Sequence, residues 1–312
     1  MRDPIQRYFK VGLVSGMMYA PMLKEGPEAW PKLVRAIAVD DYFDVVELNP
    51  LPNDEIRQQV RALVDQSHMT LVQNAHGRLL GAGLNPNDVD EAGRQAAEDA
   101  LMAGVDEAAA LGSKTMGMLS GRWTEETREE CFHQLVKTVV NVCKYAQTKG
   151  ILVELEVFDH DIAKCSLLGP APLAARFAAA VRSEVSNFGL MVDLSHFPMT
   201  YETSAQVISV LRPYITHFHF GNTVCEDPTA EAYGDEHPRF GFPNSSNDTE
   251  QVLDFLKVLK DNGFFNAQNP YIPVKLKECA FVLINSKKEG NSSYYNAQIF
   301  DQFEVFYNLS PC

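Results

Sequence analysis

The sequence predicts an α/β fold, a (β/α)8 TIM barrel whose eighth βα unit is atypical or incomplete. Three observations predict it. Apolar runs of strand length alternate with longer helical patterns as far as about residue 265. The strand candidates are nearly continuous in apolar residues, as parallel strands covered on both faces require. The first strand candidate runs into Ser15-Gly16-Met17-Met18-Tyr19, without the Gly-rich phosphate turn usual after the first strand of a doubly wound sheet.

The elements follow in order. Strand one is 11–15 (VGLVS), with a helix expected over 27–38. Strand two is 44–49 (DVVELN); Asn53-Asp54 then signals the start of a helix over 54–66. Strand three is 70–74 (TLVQN), and Asn87-Asp88-Val89-Asp90 precedes a helix over 90–111. Strand four is 114–119 (KTMGML). Thr124-Glu125-Glu126 opens a helix over 124–148, with acid where the helix dipole is positive. Gly150, after Lys144 and Lys149, reads as its C-terminal cap. Strands five (151–157, ILVELEV), six (188–193, FGLMVD) and seven (215–220, ITHFHF) are followed by helices over 171–183, 203–212 and 249–262. The eighth strand candidate, 272–278 (IPVKLKE), is the weakest. At 312 residues the chain suffices for one barrel, which takes about 250.

Two segments break the rhythm. Residues 221–248 form a turn-rich insertion after strand seven, of a length usual for a lid or binding loop. The tail, 279–312, has seven aromatic residues in 34, no Arg, and no helical period where an eighth helix belongs. We therefore divide the chain into a barrel, 1–278, and an atypical tail, 279–312, that need not be native barrel sequence. A change of reading frame near 272–275 is the expected cause.

Net charge is −14, from 27 Lys+Arg against 41 Asp+Glu, which opposes nucleic acid as a partner because phosphate binding needs a basic surface. The six cysteines form no C-x-x-C pair, so reduced thiols are expected. The polar start and the lack of any long apolar run predict neither signal peptide nor membrane span. A cytoplasmic protein binding a small-molecule sugar or polyol is expected, with monomer and homo-oligomer both left open.

Three strand ends carry potential ligands: Glu154-Leu155-Glu156, Asp193-Leu194-Ser195-His196 and His217-Phe218-His219. Barrel active sites lie at the C-terminal strand ends. Glu156, Asp193 and His219 fall there on successive strands, and two oxygens with one imidazole suit Mn2+, Mg2+, Co2+ or Zn2+. Side chains alternate along a strand, so Glu154 shares a face with Glu156 and His217 with His219. Position favours Glu156 and His219, leaving Glu154 one layer deeper and His217 either there or as a hydrogen-bonded core histidine. His196 overhangs the metal, placed to bind a substrate hydroxyl or move a proton. Glu47, Asn49, Asn74, His76 and Ser120 at other strand ends would ring the mouth with hydroxyl-binding groups, which suits a polyol. His76, Arg78, and His237-Pro238-Arg239 in the insertion add positive charge for an anionic group, with a solvated loop as the plain alternative.

At Glu156, Asp193-x-x-His196 and His217-x-His219-x-Gly221 the sequence resembles the sugar isomerase/epimerase superfamily of xylose-isomerase-like barrels, over about residues 10–270. That resemblance implies a divalent ion, Mn2+ foremost, on Glu156, Asp193 and His219. It implies that His196 contacts substrate and that Glu156 doubles as acid/base, in proton abstraction beside a carbonyl to give an enediolate. A second Glu on strand eight would close the metal site and return the proton.

The sequence departs from this pattern. Cys225 stands where ketose epimerases carry Arg, and Ile162 where they carry an acid. On strand eight the ligand position falls at Leu276. Glu278 lies two residues on, about 6.5–7 Å along the same face, and a register shift would make it the fourth metal ligand and second catalytic carboxylate. The expected activity is a metal-dependent sugar or polyol isomerase/epimerase. The alternatives are a lyase acting on a keto-sugar, as in inosose dehydratase or C-glycoside-cleaving subunits, and an inactive paralogue lacking the fourth ligand.

Overall fold

The computed structural model describes residues 5–18, 20–265 and 280–283. Eight parallel strands close a barrel in chain order. They are β1 (Lys10–Val14), β2 (Val45–Leu48), β3 (Thr70–Asn74), β4 (Thr115–Leu119), β5 (Leu152–Val157), β6 (Phe188–Asp193), β7 (Ile215–Phe220) and β8 (Ala280–Leu283). Around them lie α1 (Ser15–Met18), α2 (Ala20–Leu23), α3 (Ala29–Ala38), α4 (Asp54–Ser67), α5 (His76–Ala82), α6 (Glu91–Leu111), α7 (Arg128–Gln147), α8 (Ala171–Glu184), α9 (His196–Met199), α10 (Ser204–Leu211) and α11 (Thr249–Asp261).

Each long helix turns one apolar stripe to the sheet. In α3 the buried residues Trp30, Leu33, Val34 and Ile37 recur at helical spacing, and in α4 Ile56, Val60 and Val64 do the same. Burying such a side chain contributes about 1.5–3 kcal/mol, so these stripes, more than propensity, hold the helices on the barrel. Starts are capped as the sequence predicts: Asn53 Oδ1 accepts from Ile56 N at 2.9 Å, and Asp90 Oδ2 from Gly93 N at 3.0 Å. Capping boxes open α10 (Thr203, Gln206) and α11 (Asp248, Gln251). α7 begins at Arg128 rather than 124, because Thr124 to Thr127 form a turn closed by Thr127 N to Thr124 O at 3.2 Å.

The eighth strand differs from expectation. Residues 272–278, and with them Leu276 and Glu278, lie outside the described residues. The strand that closes the barrel is Ala280–Leu283, past the boundary placed at 278, paired with β1 and β7. In its register Val282 stands opposite His219.

The insertion is built as an ordered loop. Asn222 Oδ1 accepts from Thr223 N and Asn247 N, both at 2.8 Å, and Asn222 Nδ2 donates to Arg239 O at 2.7 Å. Asn247 Nδ2 donates to Leu194 O and Gly221 O, both at 3.1 Å, which ties the loop to the ends of β6 and β7.

Candidate metal centre

Barrel interiors are normally filled by branched apolar side chains. Here β2, β5 and β7 turn Glu47, Glu154, Glu156, His217 and His219 inward, all buried. Buried charges are tolerated only when paired, and these pair in two layers. In the deeper layer His217 Nδ1 donates to Glu154 Oε2 at 3.2 Å, and its Nε2 stands 2.7 Å from Glu47 Oε1, off the hydrogen-bond direction. In the upper layer His219 Nδ1 donates to Glu156 Oε1 at 3.1 Å and Nε2 to Glu47 Oε1 at 3.2 Å. Glu154 and His217 thus lie one layer below Glu156 and His219, hydrogen-bonded to each other.

His219 has a carboxylate at each nitrogen, so a neutral ring would turn a lone pair on an anion. A cation must occupy the second position, either a proton or a metal. Burial pulls the His219 pKa down, but Glu47 and Glu156 outweigh it and raise it well above the ordinary value. Burial likewise works to raise Glu156 and Glu47, and the facing imidazoles (with His76 beside Glu156) hold both carboxyls well below the usual range. For His217, burial is again overcome by Glu47 and Glu154, and the pKa rises to about 9.

Asp193 completes the upper layer. Its Oδ1 accepts from Ser195 N at 2.7 Å, while Oδ2, buried and 3.9 Å from His219 Nδ1, has no hydrogen-bond partner. Glu156, Asp193 and His219 offer ligand atoms within 4.8 Å of one another. An orphaned carboxylate oxygen beside an imidazole nitrogen that already faces a second carboxylate is the donor set a divalent ion takes. The residues present therefore suit a metal. The other clusters of this kind, Glu47-His217-His219 and Asp193-His196-His237, share its members. In the first of them, Glu47 is already engaged by His219 and by Asn74 Nδ2 at 2.8 Å.

The remaining predicted residues divide. His76 opens α5, and its Nε2 lies 3.0 Å from Glu156 Oε2. Gly117 on β4 makes the room: a Cβ there would stand 2.2 Å from Asn74 Oδ1 and 3.3 Å from His76 Cε1. His196 is buried with Nδ1 on Val157 O at 2.8 Å and Nε2 on Asp235 Oδ1 at 3.1 Å. Burial lowers its pKa, but Asp193 and Asp235 carry it up to about 9. His237 Nε2 meets the same Asp235 oxygen at 2.9 Å, so the insertion brings His237 beside His196. Asn49 follows β2 at half-burial, its amide against Gly16. Arg239 Nη1 donates to Phe240 O and Gly241 O, both at 3.1 Å, within its own loop.

Glu47 was expected on the substrate. It lies instead at the barrel centre on both histidines, because β2 crosses from β7 there. Three further residues escaped the sequence analysis. Asp235 joins His196, His237 and the ammonium of Lys164. Lys164 is presented by a turn in which Asp159 accepts from the backbone N–H of Ile162, Ala163, Lys164 and Cys165. Phe158 lies between His196 and His76, with ring centroids 4.4 and 5.9 Å away. The spacing Asp235-x-His237 was the available signal for Asp235.

Residues 36–266 match the family described as xylose isomerase-like TIM barrel, and the chain belongs to that family. Solved structures share the fold. A D-tagatose 3-epimerase-like protein superposes with a TM-score of 0.69 at 17% identity, covering 96% of this chain and 98% of that one. An L-ribulose 3-epimerase gives 0.67 at 13% identity, over 96% and 93%. A family 2 AP endonuclease from Brucella melitensis gives 0.65 at 15% identity, over 91% and 96%. No curated protein matches the sequence significantly. No helix among the described residues is long and apolar enough to cross a membrane.

Proposed function

We propose that this chain is a divalent-metal-dependent isomerase or epimerase of a sugar or polyol, moving a proton beside a carbonyl through an enediolate. The observation that carries the reading is the orphaned Asp193 Oδ2 facing the His219 Nδ1 to which Glu156 is bonded. Glu156, Asp193 and His219 hold the ion, for which Mn2+ is the first choice; Glu278, read from the sequence as the fourth ligand, falls four residues before the Val282 that stands opposite His219, so the proposed set is those three. The ion, when bound, acts as a Lewis acid on the substrate's oxygens.

The chain's own groups do the rest. Glu47 receives the Nε2–H of His219 and so leaves Nδ1 as the ligating nitrogen, the usual work of a carboxylate behind a metal-bound imidazole. Glu156 takes the proton beside the carbonyl. His196, held protonated between Val157 O and Asp235, donates to a substrate oxygen when it leaves Asp235. Phe158 gives the sugar ring an apolar wall, and sugar epimerases among the superposable structures agree with a carbohydrate substrate.

The test is a Mn2+-supplemented screen over ketoses, inososes and keto-glycosides in D2O, following deuterium entering the substrate. Metal-dependent exchange, lost in Asp193→Ala, is expected. No exchange on any of them by protein that carries one metal ion per chain would overturn the reading.

A further inference from the structure

A cavity of about 470 Å³ opens beside the metal centre, between α5, the end of β4 and the β5–α8 turn. It lies within the size range of small-molecule sites. Its position follows from the strands: Leu119, on its wall, pairs in register with Glu156. It also shares Lys164 with the site, whose ammonium reaches Asp235 and, through it, His196 and His237.

Its wall differs from the metal centre in kind. Leu79, Leu80, Leu84, Pro86, Leu119 and Ala163 give it an apolar surface, whereas a free polyol would present hydroxyls on every side. Leu80 is 53% exposed, which an apolar partner would cover. The wall includes Arg122 and Lys164 and no carboxylate, in a chain of net charge −14. Lys164 is committed to Asp235, but the Arg122 guanidinium makes no hydrogen bond or ion pair to another described residue.

We infer that this cavity is a subsite for an apolar, aryl-sized group attached to the reacting sugar, with an acidic or acceptor substituent at the far end facing Arg122. The substrate class is then an aryl glycoside with a ketone on its sugar ring, which the proposed proton transfer requires, rather than a free pentose or hexose. This rests on the proposed sugar site only for the other half of the ligand. Burying an arene against leucine, and pairing an anion with a guanidinium, are the two interactions the wall offers. Remote contacts of this kind position the reacting part.

The experiment is calorimetric binding of methyl, phenyl and 4-carboxyphenyl β-D-glucopyranoside to the metal-loaded protein. We expect phenyl to bind at least about tenfold tighter than methyl, and 4-carboxyphenyl tighter again. Leu80→Ser should weaken both aryl ligands and spare methyl, and Arg122→Ala should remove only the gain from the carboxylate. Both side chains are exposed, so folding survives the changes. Equal binding of phenyl and methyl, or aryl binding indifferent to both variants, overturns the inference. Aryl binding that responds to the variants, without deuterium exchange on any sugar, would support the subsite and sink the isomerase reading.

Discussion

His219 Nδ1 lies 3.1 Å from Glu156 Oε1, so the hydrogen bond between them occupies the space a metal ion would take. In the proposed metal-bound state, proton and metal would compete for one nitrogen. Because the facing carboxylates raise the His219 pKa well above its ordinary value, the metal-free ring carries that proton at neutral pH.

Metal uptake should therefore release protons. The apparent affinity for Mn2+ is expected to rise about tenfold per pH unit for each proton displaced, below the His219 pKa. Titration with Mn2+ in weak buffer with an indicator dye measures the release. Affinity independent of pH between 6 and 8 (about two orders expected for one proton) would contradict the shared position.

Glu47→Gln should weaken metal binding without touching a ligand. The variant removes the anion that receives the His219 Nε2–H and the partner of His217. A loss of about 10- to 100-fold in metal affinity is expected. Competition with a fluorescent chelator reads it, and unchanged affinity would take Glu47 out of that role.

In chelator, stability should fall as pH rises from about 6.5 to 9. Burial lowers the pKa values of His217 and His196, but their carboxylates raise both to about 9. A raised pKa means the folded state binds the extra proton. That stabilisation is complete below the unfolded value and disappears through the folded one. The expected slope is about 1.4 kcal/mol per pH unit per proton, read from urea midpoints. His217→Gln should make it shallower, and the same slope in that variant would show that His217 is not a source.

Arg94 should matter for folding and not for chemistry. Buried on α6, it pairs with Glu98 and donates to Thr138 Oγ1 on α7 at 2.9 Å. Arg94→Ala leaves the buried Glu98 carboxylate without its cation, with only the Asn141 and Gln95 amides as donors, and should cost about 3 kcal/mol. Chemical denaturation with bound metal measures it. A cost under about 1 kcal/mol, the scale of exposed pairs, would mean the clamp is not needed.

Much of this was legible in one dimension. The seven strand candidates up to 220 lie within one residue of the observed ends, since a buried parallel strand is a dense apolar run bounded by turn residues. The short helices α1, α2, α5 and α9 escaped because four to seven residues are too few to show a helical period. β8 escaped for a related reason: Ala280–Leu283 is four residues long, and what makes it a strand is pairing with β1 and β7.

By itself the sequence determined the barrel and the convergence of Glu156, Asp193 and His219, because strand spacing and strand-end position are local properties that a parallel barrel turns into one place. Only the tertiary structure decided what stands behind the proposed ligands. Glu47 is 172 residues from His219 and reaches it across the barrel, as Asp235 reaches His196 from a loop. Those contacts are set by closure of the sheet and the path of the insertion. A buried imidazole takes whichever carboxylate closure puts in reach, and no periodicity announces which one that is.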